Sequence, residues 1–286
     1  EVEAITETSV TGGMYAKIQE LKLLTGSDIA TAVTYQRVLG EAKLIQARYS
    51  EFIAIYNRYR THVDENNVTC EPLTEAMDAL ISADDAEKFY AAYDAMERAW
   101  VLYLENAEEQ VDLTSKVSDA DFPASGADVW FDETTAWKTE ALGGNYRIFP
   151  IDGSDTKRGD ALDVNMIERW CTGSFGVGER VIYQVLSNMP IGVYRLEVAT
   201  QKEHQTGCIE LYANEGVSYV MSVAEMRKHS VVGEVTDGKL DIGLRSAPGN
   251  ACRWTTMSDV NLVYYSPVMM LKTVIAEAET LTYGTD

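Results

Sequence analysis

The sequence predicts an α + β multidomain chain: an N-terminal antiparallel helical bundle over 1–116, an antiparallel β-sandwich over 117–266, and a helical tail over 267–286. Three observations carry this. Apolar residues recur at three- and four-residue steps up to about residue 110, the mark of amphipathic helices. The texture changes at DLTSKVSDADFPASGADVW, and short alternating runs separated by turn residues then follow as far as Tyr265. After Ser266-Pro267 the run VMMLKTVIAEAETL takes up a helical period again.

The helices can be placed in order. One is expected around Met14 to Leu24. From Ser27, a good N-cap, an apolar stripe runs through Ile29, Val33, Val38, Leu39, Ala42, Ile45, Tyr49, Phe52, Ile53, Tyr56 and Tyr59. Gly40 lies inside it and costs about 1 kcal/mol relative to Ala, which allows a kink. Asp64 to Thr69 breaks the pattern, and Pro72 suits the first turn of a short helix ending near residue 82. Asp84 or Asp85 caps another, with Phe89, Tyr93, Met96, Trp100, Tyr103 and Leu104 on one face. Amphipathic helices joined by short links make an antiparallel bundle.

The β runs are Ala136–Lys138, Tyr146–Phe149, Arg180–Leu186, Gly192–Gln201, Cys208–Ala213, Val217–Met221, Lys239–Ser246 and Val260–Tyr265. Turn signals stand between them, including Asn188-Met189-Pro190, Asn214-Glu215-Gly216 and Asp237-Gly238, the last of type I′ character. Val223–Lys228 reads as a helical turn or an edge loop. Strands with no helices between them mean a sandwich or barrel. The last helix either folds back onto the bundle or opens a further module; its acidic, alanine-rich pattern is like the opening helices.

Composition excludes some partners. The formal net charge is −21, and both halves share it: residues 1–116 hold 21 acidic and 10 basic side chains, residues 117–286 hold 24 and 14. A phosphate backbone would be repelled, so nucleic acid and anionic membranes are poor partners. No run reaches the roughly 18–20 apolar residues of a membrane helix, and EVEAITETS lacks the regions of a signal peptide. Cys70, Cys171, Cys208 and Cys252 form no CxxC pair; they read as buried thiols or as one bridge within the sandwich.

Several phrases resemble a known family. DLTSKVSDADF followed by Trp130, then IERWCTGSF, VIYQVLSNMPIGVYRLEVATQ, TDGKLDIGLRS and RWTTMSDVNLVYY are similar to the strands of galactose-binding-like jelly rolls, the carbohydrate-binding-module-like domains of Bacteroidetes surface proteins. Ser118-Asp119-Ala120-Asp121-Phe122 departs from that pattern where an Asn-Pro-Ser-Phe-like phrase is usual. The resemblance implies a jelly roll in an extracellular, cell-surface or periplasmic multidomain protein, with other modules of the same protein as neighbours.

Sugar recognition needs an aromatic face for the apolar side of a pyranose and planar polar groups for its hydroxyls. Trp100 belongs to the helical core, and Trp130 and Trp170 read as sandwich core. The expected glycan-binding residues are the loop aromatics Trp137, Tyr146 and Trp254 with Glu203, His204, Asn250 and Arg253; each also has a plain reading as a core or solvated loop residue. Asp152, Asp155 and Asp160, with Asp163 beyond, offer the oxygens calcium takes, so a structural calcium is set against a solvated polar loop and no cofactor at all. No GxSxG, HExxH, P-loop or dinucleotide fingerprint occurs, and no catalytic residue is assigned. The expected function is a non-catalytic carbohydrate-binding module on a helical spacer. The alternatives are an architectural or adhesive protein without a sugar ligand, or an accessory part of a larger glycan-degrading enzyme.

Overall fold

The computed structural model describes residues 4–24, 28–66, 68–122, 129–130, 136–141, 145–151, 158–162, 165–203, 208–221, 223–248 and 252–282. The chain divides into two compact units, Glu1–Tyr103 and Leu104–Asp286.

The first unit is built from α1 (Gly12–Lys22), α2 (Ile29–Glu65), α3 (Glu71–Ser82) and α4, which starts at Ala86 and runs on to Glu105. Asp28 caps α2 by accepting from the Thr31 amide, one residue beyond the expected Ser27. Asp85 does the same for α4 through the Lys88 amide, and Pro72 sits in the first turn of α3. α2 runs unbroken through Gly40. The stripe is buried only from Val38 onward, at Val38, Ala42, Ile45, Phe52 and Tyr59; Ile29 and Val33 are exposed. Phe52 stacks on Tyr93 at 3.6 Å between centroids, and Tyr59 stacks on Trp100 at 4.2 Å. Further back along both helices the Tyr90 hydroxyl donates to the Leu44 carbonyl. These contacts advance along α2 and α4 together, so the two run parallel, with α3 returning the chain between them.

The second unit holds two antiparallel sheets. Its strands are β1 (Val111–Asp112), β2 (Val129–Trp130), β3 (Asn145–Pro150), β4 (Asn165–Trp170), β5 (Arg180–Ser187), β6 (Gly192–Lys202), β7 (Ile209–Ala213), β8 (Gly216–Tyr219), β9 (Arg227–Val235), β10 (Lys239–Ser246) and β11 (Trp254–Tyr265). Among the described residues one sheet has the order β2-β3-β4-β11-β6-β9, with β1 also on β11, and the other β5-β10-β7-β8. This is the expected antiparallel sandwich, and the helix α5 (Pro267–Thr282) follows it. The first sheet begins at Val111, ahead of the expected start at 117.

Alternation decides the core. Tyr194, Leu196, Val198 and Thr200 of β6, with Leu262 and Tyr264 of β11 and Ile242 and Leu244 of β10, are essentially without exposure and fill the space between the sheets. The Tyr194 and Tyr264 rings lie 5.0 Å apart, and their hydroxyls donate to the carbonyls of Pro190 and Ile191, both at 2.7 Å. Gly192, at φ 151°, is required there, because a Cβ would stand 2.7 Å from the Tyr264 ring.

One expectation changes and one open reading is decided. Asp237-Gly238 is no hairpin turn, because β9 and β10 belong to different sheets and the turn carries the chain between them. Of the two readings of Val223–Lys228 the structure takes the edge loop rather than the helical turn; it leads into β9, with Arg227 already in the strand. The two-residue hairpin is Asn214-Glu215, between β7 and β8. Asn214 is left-handed, at φ 47°, and its side chain ties the hairpin to two further strands, β9 and β10. Its Nδ2 donates to the carbonyls of Glu234 (2.7 Å) and Lys239 (3.1 Å), and its Oδ1 accepts from the Asp241 amide (2.8 Å). Asn214→Ala is expected to cost about 2–3 kcal/mol in urea unfolding, from lost hydrogen bonds and a strained backbone.

Candidate functional site

Residues paired across an antiparallel ladder share a face, so the register sorts the outer face of the larger sheet into rows. One row holds Trp170 opposite Trp254, and Glu203, just past β6, joins it through its amide on the Trp254 carbonyl at 3.0 Å. The next row runs Arg147, Glu168, Thr256, Gln201 across β3, β4, β11 and β6. The third includes Met166 and Ala199, which Ile151, Ala161 and Met226 cover in a small apolar cluster. The outer face is thus sealed by an apolar cap at one end and carries polar and aromatic groups at the other.

Those groups are held tightly. Glu168 accepts from Arg147 Nε at 3.0 Å and from Trp254 Nε1 at 2.7 Å, so one carboxylate fixes both the guanidinium and the plane of the indole. Trp170 and Trp254 are half-exposed, whereas Glu168 and Gln201 are buried. Thr256 is wholly buried between them in the row, and its Oγ1 finds no hydrogen-bond partner among the described residues. On the rim, Arg253 Nε donates to Glu203 Oε1 at 2.9 Å. Arg253 is exposed. Beneath them Cys252 is buried, and burial pushes its thiol up, which suits an inert residue.

The structure therefore gathers three of the expected residues, Trp254, Glu203 and Arg253, at one end of the sheet. It removes Trp137 from the set. That indole is fully buried, packs 5.6 Å from the Phe122 ring and donates from Nε1 to the Asp119 carbonyl, so no ligand can reach its face. Tyr146 is placed through its backbone, opposite Arg169 in β3. His204, Asn250, Asp152 and Asp155 lie outside the described residues, as does Asp163. The carboxylate of Asp160 accepts from Arg227 Nη1 at 3.1 Å, a cation already at the oxygens a calcium would use. Among the described residues no group of three or more metal-ligating side chains occurs. Of the cysteines, Cys171 is buried like Cys252, and Cys70 and Cys208 are half-buried.

Sequence reasoning missed Arg147, Glu168, Thr256 and Gln201 and assigned Trp170 to the core. The period of two within MIERW and RWTTM, once both are read as strands, puts Glu168 on the face of Trp170 and Thr256 on that of Trp254; which face is outward, and that Arg147 and Gln201 join it, follow only from the register.

No family model matches the chain, and no curated protein matches it. Solved structures do. One is a Stig cyclase from Fischerella sp. TAU, in complex with an indole compound, at 13% identity, covering 55% of this chain and 99% of that one, with a TM-score of 0.42. Another is the xylan-binding CBM22-1 domain of Xyn10C from Paenibacillus barcinonensis, at 10% identity, covering 56% and 98%, with a TM-score of 0.36. A third is TmCBM61 in complex with β-1,4-galactotriose, at 14% identity, covering 47% and 94%, with a TM-score of 0.34. The matching structures thus include carbohydrate-binding modules and an enzyme, and the sandwich itself stands on its own strand pairing. No helix among the described residues is long and apolar enough to cross a membrane.

Proposed function

We propose that the sandwich is a non-catalytic carbohydrate-binding module, carried with a helical spacer in a secreted or cell-surface glycan-handling protein. The observation that carries this reading is the half-exposed Trp170–Trp254 pair on the outer face, flanked by the accessible Arg147, Glu203 and Arg253 and fixed from beneath by the buried row Glu168–Thr256–Gln201. Aromatic faces for the apolar side of a sugar ring, next to fixed planar donors and acceptors, are what pyranose recognition requires. Both oxygens of Glu168 are engaged, one by Arg147 and one by Trp254, which suits a positioning group better than a proton donor. The acidic chain, at −21, favours neutral over anionic glycans.

The purely architectural reading draws on one observation: the buried Trp137 belongs to the scaffold. A screen of the whole chain against plant, mucin and host oligosaccharides separates the two. Binding to one neutral class, lost in Trp254→Ala, supports the module. No binding across all three classes would establish the architectural role.

A further inference from the structure

The outer face of the smaller sheet carries its own row of fixed polar and aromatic groups. Across β5, β10, β7 and β8 the register aligns Arg180, Arg245, Glu210 and Tyr219, and the next row is Tyr183, Gly243, Tyr212 and Val217. Ile242 and Leu244 of β10 point into the core, so both rows face outward. The two guanidinium groups lie on tyrosine rings: Arg180 Cζ is 3.8 Å from the centre of the Tyr183 ring, and Arg245 Cζ is 5.1 Å from that of Tyr212. Carboxylates hold them there. Arg180 donates from Nε to Glu140 Oε1 and from Nη1 to Asp241 Oδ2, both at 2.9 Å, and Arg245 donates from Nε to Glu210 Oε2 at 2.7 Å. Gly243, at φ 147°, adds no side chain between the tyrosines; a Cβ there would stand 2.1 Å from the Ile182 carbonyl oxygen.

Part of this arrangement is left over for a ligand. Arg245 uses only Nε on Glu210; among the described residues neither of its Nη groups has a hydrogen-bond partner, and its side chain is 32% exposed. In the same row Tyr219 is 55% exposed. We propose that this face is a second glycan site, on the side of the sandwich opposite the Trp170–Trp254 pair, so that one chain bridges two glycan strands. The proposal rests on the reading of the sandwich as a glycan binder and adds a site to it. The paired Nη groups offer two parallel donors to neighbouring hydroxyls of a sugar ring, and Tyr219 offers an aromatic face. Arg245 and Tyr219 stand two strands, about 10 Å, apart, so a ligand that engages both is an oligosaccharide rather than a single sugar. Glu140, Asp241 and Glu210 balance the arginines, which leaves no basic excess for an anionic polymer. The exposed apolar side chains, Val217 and Tyr219 at one edge and Val185 at the other, are separated by charged residues, unlike the apolar centre of a protein interface. The outer faces of two packed sheets look in opposite directions, so each takes its own glycan strand.

Calorimetric titration of the full chain with neutral hexasaccharides of glucose, xylose, mannose, galactose and N-acetylglucosamine tests this. The hexasaccharide that binds is expected to do so at two per chain, falling to one per chain in Tyr219→Ala and in Trp254→Ala alike. Arg245→Lys keeps a charge opposite Glu210 but loses the fork, and should also fall to one. The long polymer of the same sugar should be cross-linked and precipitated by the parent and left in solution by each single variant. One site per chain in the parent, lost in Trp254→Ala and untouched in Tyr219→Ala, would overturn the second site and leave the first reading standing. One site lost in Tyr219→Ala and kept in Trp254→Ala would overturn the bridging together with the reading of the larger sheet. Binding to none of the hexasaccharides would overturn both.

Discussion

Arg169→Met is expected to lower the stability of the sandwich unit by about 3 kcal/mol or more, among the larger effects of any single substitution in the chain. Arg169 is a fully buried arginine on β4, and its side chain points between the sheets beside Thr255 of β11. Its Nε donates to Thr139 Oγ1 at 3.2 Å, one Nη to the Ala141 carbonyl at 2.5 Å and the other to the Trp170 carbonyl. The guanidinium also lies 5.8 Å from the centre of the Phe175 ring. It thereby ties the 139–141 segment to the sheet. Methionine fills much of the volume but donates nothing, leaving the buried Ala141 carbonyl without its donor at about 1–3 kcal/mol and the part-buried Trp170 carbonyl without its own at less. Urea unfolding followed by near-ultraviolet circular dichroism would show a lowered midpoint for the sandwich transition. The transition of the helical unit should stay where it was, and an unchanged sandwich midpoint would show that the arginine is dispensable.

Arg169 also illustrates what was legible in the sequence. The stretch IERWCTGSF stood out by resemblance, yet nothing in it says that Arg169 points inward and Glu168 outward. That assignment depends on register, and register is set by β11, far along the chain. Strands with clean alternation, such as Tyr194-Arg195-Leu196-Glu197-Val198, were readable from local pattern alone. β4 and β9 were not. β4 is buried on both faces, with Glu168 and Arg169 themselves buried, and so lacks the polar alternation of a half-exposed strand. The first half of β9, Arg227 to Ser230, is polar throughout and looks like loop. Trp137 and Trp254 posed the opposite difficulty: both flank glycine-containing segments, and only the fold shows one indole inside against Phe122 and the other at the sheet surface.

Trp254→Ala is expected to weaken glycan binding about 10- to 100-fold, the equivalent of about 1.4–2.7 kcal/mol. The indole is half-exposed and cannot swing freely, since its Nε1 is held by Glu168, which is itself held by Arg147. A ring fixed before the ligand arrives gives up little entropy on binding, so its removal should cost most of the stacking energy. The same deletion leaves Glu168 bonded to Arg147, and its effect on unfolding should be smaller than that of Arg169→Met. Trp254→Phe keeps a stacking face while losing the Glu168 anchor, and its affinity should fall between parent and alanine variant. Trp137→Phe supplies the contrast. A buried ring trimmed and stripped of its bond to the Asp119 carbonyl should lower the unfolding midpoint while leaving affinity near the parent value. Calorimetric titration of all four proteins with the glycan found in the screen separates a surface platform from a core residue. Equal losses of affinity in Trp254→Ala and Trp137→Phe would mean that binding merely tracks stability, and the outer face would lose its claim to be the site.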